Sequence, residues 1–369
     1  MPRAQETVLE INLKNLEHNY HYLRGKLQAK TKFMGVVKAF AYGSDSIKIS
    51  KKLETLGIDY LAVAYTNEGV TLRKAGITIP ILVLHPQPIH FHELIEHNLE
   101  PAIYSFRILK AFIEVVKTNH KTAYPIHLKF NTGLNRLGFK EEDITEIRSK
   151  VLKQDAIKIS YILSHLAASE DKNELKFTEN QIKTFSRIAN AIDLLLGYKT
   201  AKHLLNTSGL INYPQAQFQM VRSGIGLYGF GNEAEEDKKL KPIATLKTAI
   251  SQLHKLEPNE SVGYNRAFVA TQKCITATLP LGHADGIGRI YGNGKTYVLV
   301  NGKKAFIVGN VCMDMIMVDV TDIDCKEGDE VIIFGEDLSA EEFANTAGTI
   351  SYELITSVSQ RIKRYFIDN

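Results

Sequence analysis

An α/β fold, with an N-terminal (β/α)8 (TIM) barrel followed by a C-terminal mainly-β domain, is what this sequence predicts, and three observations predict it. Between residues 33 and 229, apolar β-type runs recur, each followed by a loop and usually by a segment of helical periodicity. After the polar stretch Gly231–Lys239 the pattern changes to short alternating runs broken by Gly, Asn and Asp. A chain of 369 residues is also long for one core, so a large domain and a smaller one are expected.

The runs of the first part are Phe33 to Ala39, Tyr60 to Tyr65, Ile81 to His85, Pro101 to Ser105, Ile126 to Phe130, Ile159 to His165, His203 to Asn206 and Met220 to Tyr228. Continuous apolar runs are the mark of parallel strands buried on both faces. Helical segments lie between them at Ser46 to Leu56, Asn67 to Ala75, Phe106 to Lys117, Glu141 to Leu152 and Phe177 to Leu196, with lengths suited to crossovers. An open doubly wound sheet competes with the barrel. It is disfavoured because no GxGxxG follows the first strand and because polar residues end many strands rather than gathering at one switch point. In the second part, strands are expected at Ala244 to His254, Cys274 to Leu279, Thr296 to Val300, Lys304 to Val308, Met315 to Val320 and Glu330 to Phe334. Asn293-Gly294 and Asn301-Gly302 are expected hairpin turns, since both residue types tolerate positive φ. Residues 1–11 read as a strand packing with the C-terminal domain, 12–238 as the barrel and 239–369 as the β domain.

The 45 basic and 41 acidic residues are dispersed, which argues against a nucleic-acid partner. Met1 to Glu6 lack the apolar core of a signal peptide and no later segment is apolar enough to span a bilayer, so a cytoplasmic protein without membrane contact is expected. The odd number of cysteines, Cys274, Cys312 and Cys325, and the absence of CxxC spacing predict neither a disulfide framework nor a metal site.

Lys38 is the most pointed single residue, because it places an amine at the end of the first apolar run, where barrel enzymes carry catalytic side chains. Desolvation there favours the neutral amine, which condenses with a carbonyl group. A surface lysine lying along apolar neighbours is the competing reading. Two small-residue turns, Thr207-Ser208-Gly209 and Ser223-Gly224-Ile225, follow the seventh and eighth runs, where barrels commonly bind phosphate.

Several spaced motifs then align in order. Val36 to Gly43, His127 to Gly138, His203 with Asn206, Thr207 and Ser208, Arg222 to Gly229, Val262-Gly263-Tyr264, Ala284-Asp285-Gly286, Cys312-Met313-Asp314 and Ile350 to Glu353 together span nearly the whole chain. In these segments the sequence resembles the alanine racemases, isomerases of fold type III that depend on pyridoxal 5′-phosphate (PLP). The resemblance implies a homodimer with shared active sites, interconverting L- and D-alanine and supplying D-alanine for peptidoglycan. It implies that Lys38 carries PLP covalently and serves one face of the substrate, and that Tyr264 of the second subunit serves the other. Cofactor contacts are implied for Tyr42, His165, His203, Asn206, Thr207, Arg222, Gly224, Ile225 and Tyr352, with Arg222 facing the pyridine nitrogen. A guanidinium there cannot accept a proton and disfavours ring protonation, which weakens the ring as an electron sink. Arg136 is implied to pair with the substrate carboxylate, Met313 to narrow the substrate pocket, and Lys129 to be carbamylated and to position Arg136.

The sequence also departs from the family pattern. Phe40 stands for asparagine, Ser44-Asp45 for His-Gly, Asn131 for aspartate, His283 for tyrosine and Asn310 for arginine, while Glu170 lies near a usual aspartate. Most of these flank the substrate approach in the family. The inner groups Lys38 and Tyr264 are kept. A racemase of broader preference and a non-catalytic PLP-binding protein stay open as alternatives. A basic amino-acid decarboxylase lacks its expected phosphate loop and catalytic cysteine here.

Overall fold

The computed structural model describes residues 6–152 and 154–368. The expected ranges 1–11, 12–238 and 239–369 include residues 1–5, 153 and 369, which lie outside the described residues. Strand β1 is Val8–Asn12, and strands β2 to β9 are Lys32–Val36, Tyr60–Val63, Ile81–Val83, Glu100–Ile103, Tyr124–Lys129, Ile157–Leu163, Ala201–His203 and Met220–Ser223. Strands β2 to β9 form a closed, eight-stranded parallel barrel, with β2 pairing both β3 and β9. The expected (β/α)8 barrel is therefore correct. Phe33, Leu61, Leu82, Ala102, Leu128 and Ile162 are fully buried on its strands, as double-sided burial requires.

Strands β10 to β19 follow at Ala244–Ala249, Gln252–Leu256, Ser261–Val262, Phe268–Val269, Cys274–Leu279, Tyr297–Val300, Lys303–Val308, Ile316–Asp319, Glu330–Phe334 and Lys363–Ile367. With β1 they build a nine-stranded sheet in the order β11-β14-β17-β16-β15-β18-β10-β1-β19, and β12 pairs β13 separately. β1 runs antiparallel to β10 and parallel to β19. The backbone separates into two compact units: one holds Glu17–Ala41 and Ser46–Leu240, the other holds residues 6–16, Tyr42–Asp45 and 241–368. The short segment Tyr42–Asp45 thus belongs with the β-rich unit although it follows the first barrel strand directly.

Several local expectations need correction. The run Met220 to Tyr228 is a strand only to Ser223; Gly224 takes φ −108 and ψ −89, and Ile225–Tyr228 forms a 3-10 turn instead. Ala244 to His254 is two strands broken at Ile250-Ser251, whose amides bond to Asp329 and Thr278 on different neighbours. Asn301-Gly302 is the two-residue hairpin expected, with φ of 49 and 75 between β15 and β16. Asn293-Gly294 also takes positive φ, but follows the turn Arg289–Tyr291 and bonds to Gly309 and Ile307 rather than joining two paired strands. Helices Leu13–Gly25, Phe91–Glu96, Ala340–Asn345 and Ser351–Ser357 were not expected. Among the described residues no helix is long and apolar enough to cross a membrane.

Candidate active site

Lys38 lies two residues past the end of β2, after Val37, whose amide still donates to Ala62 O at 2.9 Å. The chain then leaves the strand through a left-handed turn, with φ of 52 at Ala39, 56 at Phe40, 51 at Ala41, 52 at Tyr42 and 82 at Gly43. Left-handed backbone costs roughly 1–2 kcal/mol per non-glycine residue, so neighbouring groups must enforce it. In the barrel unit Glu68 does so: its carboxylate accepts from the amides of Ala39 at 2.7 Å, Ala64 at 2.7 Å and Tyr65 at 3.0 Å. In the other unit, Gly43 O accepts from Arg364 Nη2 at 2.9 Å, and a Cβ on Gly43 would lie 2.1 Å from Ile355 O. Glycine is required at that point. Sequence reasoning ran the first strand through Ala39 and missed Glu68; its signal was an acidic residue at the third position of helix Thr66–Lys74, where a side chain can reach back to the helix start.

Around Lys38 the barrel mouth is cationic. The Lys38 amine is half-buried, and burial, followed by the Arg136 charge, holds its pKa below the ordinary lysine value against the opposing pull of Glu68. Lys129, which closes β6, is 7 % exposed. Burial first, then Arg136, Arg222 and Lys38, bring its pKa down to about 8. His165 is kept neutral by burial and by Arg222, Arg136, Lys129 and Lys38, in that order. Among the described residues Lys38, Lys129 and Arg136 have no carboxylate within ion-pair distance. Converging cations with no carboxylate paired to them are a site for an anion.

Arg136 is exposed on a loop that Asn131 organises. Asn131 Oδ1 accepts from the amides of Gly133 at 3.1 Å and Asn135 at 3.0 Å, while its Nδ2 donates to Asn135 Oδ1 at 2.8 Å. A Cβ on Gly138 would meet the Phe130 carbonyl carbon at 2.5 Å, so the loop closes tightly on itself.

Arg222, in β9, is 4 % exposed and strongly tethered. Its Nη1 donates to His203 Nδ1 at 2.7 Å and His203 O at 3.1 Å; its Nη2 donates to Ser164 O at 2.8 Å, Leu204 O at 2.9 Å and His165 Nδ1 at 3.2 Å. Burial lowers its pKa to about 10, which leaves it protonated at neutral pH. Among the described residues nothing accepts from its Nε, and that atom is not among the buried polar atoms left without a partner. Nearby in the fold, Thr207 Oγ1 lies 2.9 Å from Ser223 Oγ and accepts from the Gly226 amide at 3.3 Å. Asn206 Oδ1 accepts from Ser169 Oγ at 2.9 Å and from the Gly209 amide at 2.8 Å, fixing the turn that presents Thr207. At the start of the turn Ile225–Tyr228, the amides of Gly224 and Ile225 have no carbonyl within the turn to bond.

The β-rich unit gathers the other expected residues. Tyr42 packs against Tyr352 with ring centroids 6.2 Å apart, and burial, then Tyr352, push its hydroxyl far above the ordinary tyrosine range, so it remains a proton donor. Tyr264 follows Gly263, whose φ is 75, and precedes Asn265 and Arg266 at φ of 60 and 48; Asn310 Nδ2 holds the Tyr264 carbonyl at 3.1 Å. Met313 sits in a loop zipped to its neighbour by His283 N to Cys312 O at 3.0 Å and Ala284 N to Met313 O at 2.9 Å. Asp285 secures that neighbour by accepting from the Gly282 amide and from Arg361 through both oxygens, at 2.6 and 2.8 Å. Tyr264 is 73 % exposed and Met313 63 %, and the Tyr264 hydroxyl makes no hydrogen bond among the described residues.

A parallel barrel with a lysine just past its first strand and a cationic mouth free of ion pairs defines a class: a barrel enzyme built around an activated amine and an anionic small molecule. Residues 11–231 match the family model for the alanine racemase N-terminal domain, and residues 243–366 match that for the C-terminal domain. The chain is 37% identical over 366 residues to the alanine racemase of Thermodesulfovibrio yellowstonii, covering 97% of each chain. It superposes on the alanine racemase of Clostridium difficile 630 with a TM-score of 0.92 at 34% identity, over 99% of this chain and 96% of that one. It is also similar to the Bartonella henselae alanine racemase, a structure titled as having covalently bound pyridoxal phosphate, with a TM-score of 0.89 at 27% identity over 98% and 99% of the two chains. The chain belongs to the alanine racemase family of isomerases.

Proposed function

We propose that this protein holds PLP on Lys38 and interconverts L- and D-alanine with two proton carriers, Lys38 and the Tyr264 of a second copy. The observation that carries the reading is the set of cations around Lys38, Lys129 and Arg136 without a carboxylate partner among the described residues. In the barrel unit the donor set suits the cofactor: Arg222 Nε–H is left to meet a ring nitrogen, the amides of Gly224 and Ile225 and the hydroxyl of Thr207 suit a phosphate, and Asn206 and His203 brace Thr207 and Arg222; the family resemblance adds the hydroxyls of Tyr42 and Tyr352. His165, neutral and bonded to Arg222, would hold the guanidinium beside the ring.

When bound, PLP supplies a conjugated electron-withdrawing ring that acidifies the Cα–H of an amino acid joined to it. Arg136 orients the substrate by pairing with its carboxylate through a planar fork. The Lys38 amine, whose pKa burial holds below the ordinary lysine value, takes or returns the Cα proton on one face; the Tyr264 hydroxyl does so on the other. Arg222 stays charged and discourages proton gain at the ring nitrogen, which favours return of the proton to carbon. Lys129, once carbamylated, turns a repelling cation into an anion beside Arg136. The exposure of Tyr264 and Met313 supports a homodimer in which each β-rich unit completes the site of its partner. We place residues 12–238 as the PLP-binding barrel, with residues 1–11 joining the β domain of 239–369, in a cytoplasmic enzyme supplying D-alanine for peptidoglycan.

Incubation with PLP and L-alanine in heavy water, followed by chiral separation and mass analysis, tests the reading. D-alanine carrying deuterium at Cα is the expected product. PLP bound to Lys38 with no exchange at alanine Cα would overturn the assigned substrate. Racemisation of larger amino acids at comparable rates would instead trace to the replacements Phe40, Asn131, His283 and Asn310.

A further inference from the structure

We propose that Glu100, at the opposite end of the barrel from Lys38, is a positioning residue that fixes the tautomers of His127 and His203 and so orients the Arg222 guanidinium. The inference rests on the proposed pairing of Arg222 with the PLP ring nitrogen. Each link follows from hydrogen-bond polarity. A guanidinium only donates, so His203 Nδ1, 2.7 Å from Arg222 Nη1, must be the acceptor. Burial and the Arg222 charge keep His203 neutral, which places its hydrogen on Nε2. That hydrogen is donated to His127 Nδ1 at 3.0 Å. Accepting that hydrogen leaves His127 Nδ1 without one of its own, so His127 carries hydrogen on Nε2 and donates it to Glu100 Oε2 at 2.7 Å.

Both imidazoles are 0 % exposed, so water does not substitute for a missing link. The opposite tautomer of His203 would set an N–H against an N–H at Arg222. A carboxylate at the first residue of β5 therefore selects the lone pair presented near the end of β9. The chain is held sideways as well. Tyr161 stacks on His127 with centroids 4.4 Å apart and planes 11° apart, Lys32 Nζ donates to Tyr161 Oη at 3.2 Å, and Tyr60 Oη lies 3.4 Å from both Glu100 oxygens. The family resemblance includes His127 as the first residue of the segment His127 to Gly138 but gives it no role, and Glu100 lies outside the segments that carry it.

The test combines nitrogen-15 histidine NMR of the cofactor-free protein with Glu100→Gln and Glu100→Leu. The wild type is expected to carry hydrogen on Nε2 of both His127 and His203. Glu100→Gln keeps an acceptor and is expected to preserve that pattern; Glu100→Leu removes it and is expected to mix the tautomers. In the PLP-loaded protein, Glu100→Leu is expected to shift the cofactor absorbance and to lower kcat about ten- to a hundredfold, the usual range for outer partners of a functional group, with KM changed much less. Glu100→Gln should recover most of both. Hydrogen on Nδ1 of His203 in the wild type overturns the proposal without any variant, so poor folding of Glu100→Leu does not shield it. An unchanged spectrum and kcat in Glu100→Leu overturns it too, while leaving the PLP reading intact. Failure of the wild type to bind PLP overturns that reading and with it the link from Arg222 to the ring.

Discussion

The barrel mouth and the Tyr264 surface of the β-rich unit solve opposite physical problems. At the mouth, Lys129, His203 and Arg222 are buried and His165 is half-buried; burial displaces all four pKa values, and neighbouring cations displace those of Lys129 and His165 further. In the β-rich unit, the side chains of Tyr264, Met313, Met315 and Ile350 are exposed, and it is the backbone beside Tyr264 and Met313 that is fixed. The first region has its reactivity set within one chain. The second presents a preformed but solvent-facing group, whose environment in the proposed dimer comes from the partner copy.

The sharpest way to break this contrast is Tyr264→Phe, which removes one hydroxyl from an exposed position. If the surface is only a packing face, racemisation changes little; the expected result is a loss of about 10²–10⁴-fold, the range for a positioned proton carrier, with an unchanged melting temperature. Deuterium should still enter Cα from the Lys38 face with retention.

A smaller effect concerns Lys129. Its pKa of about 8, against the ordinary value of 10.5, means the folded protein releases this proton earlier than the unfolded chain. In the cofactor-free, uncarbamylated protein the cost of the buried charge is therefore fully present below pH 8 and is relieved as pH rises toward 10.5, so stability should increase across that window. The neutral amine is also the form that reacts with carbon dioxide. Carbon-13 NMR with labelled bicarbonate should show a carbamate that grows through pH 8 and is absent from Lys129→Gln; no such signal would remove the proposed switch of charge beside Arg136.

The smallest expected effect is at Glu68→Gln, where a neutral amide oxygen replaces a carboxylate accepting from three amides. Loss of charge assistance should cost about 1–2 kcal/mol in chemical denaturation. Slower capture of PLP by Lys38 should accompany it, because the left-handed turn is less firmly held. Equal stability and capture rate would show that packing alone maintains the turn.

Much of the molecule was legible from local pattern. Continuous apolar runs gave the barrel strands, and Asn301-Gly302 gave a hairpin, because side-chain periodicity and glycine-like φ are properties of neighbouring residues. Lys38 was singled out by its place at the end of the first apolar run, and Arg136, Arg222 and Tyr264 by the spaced motifs of the resemblance. The left-handed course of Ala39-Phe40-Ala41 was not legible, since no residue there prefers positive φ and the turn is imposed by Glu68 and by the surroundings of Gly43. Strand β9 also ended earlier than its apolar character implied, because Gly224 turns the chain.

The sequence by itself determined which segments would become strands and which residue types would stand at their ends. Only the tertiary structure decided that Lys38, Lys129, Arg136, His165 and Arg222 share one electrostatic field, and that Glu100 reaches Arg222 through two histidines 27 and 76 residues apart from their partners in the chain. The reason is physical: periodicity records what each segment buries, whereas a pKa and a tautomer depend on groups that meet only when the eighth strand closes against the first.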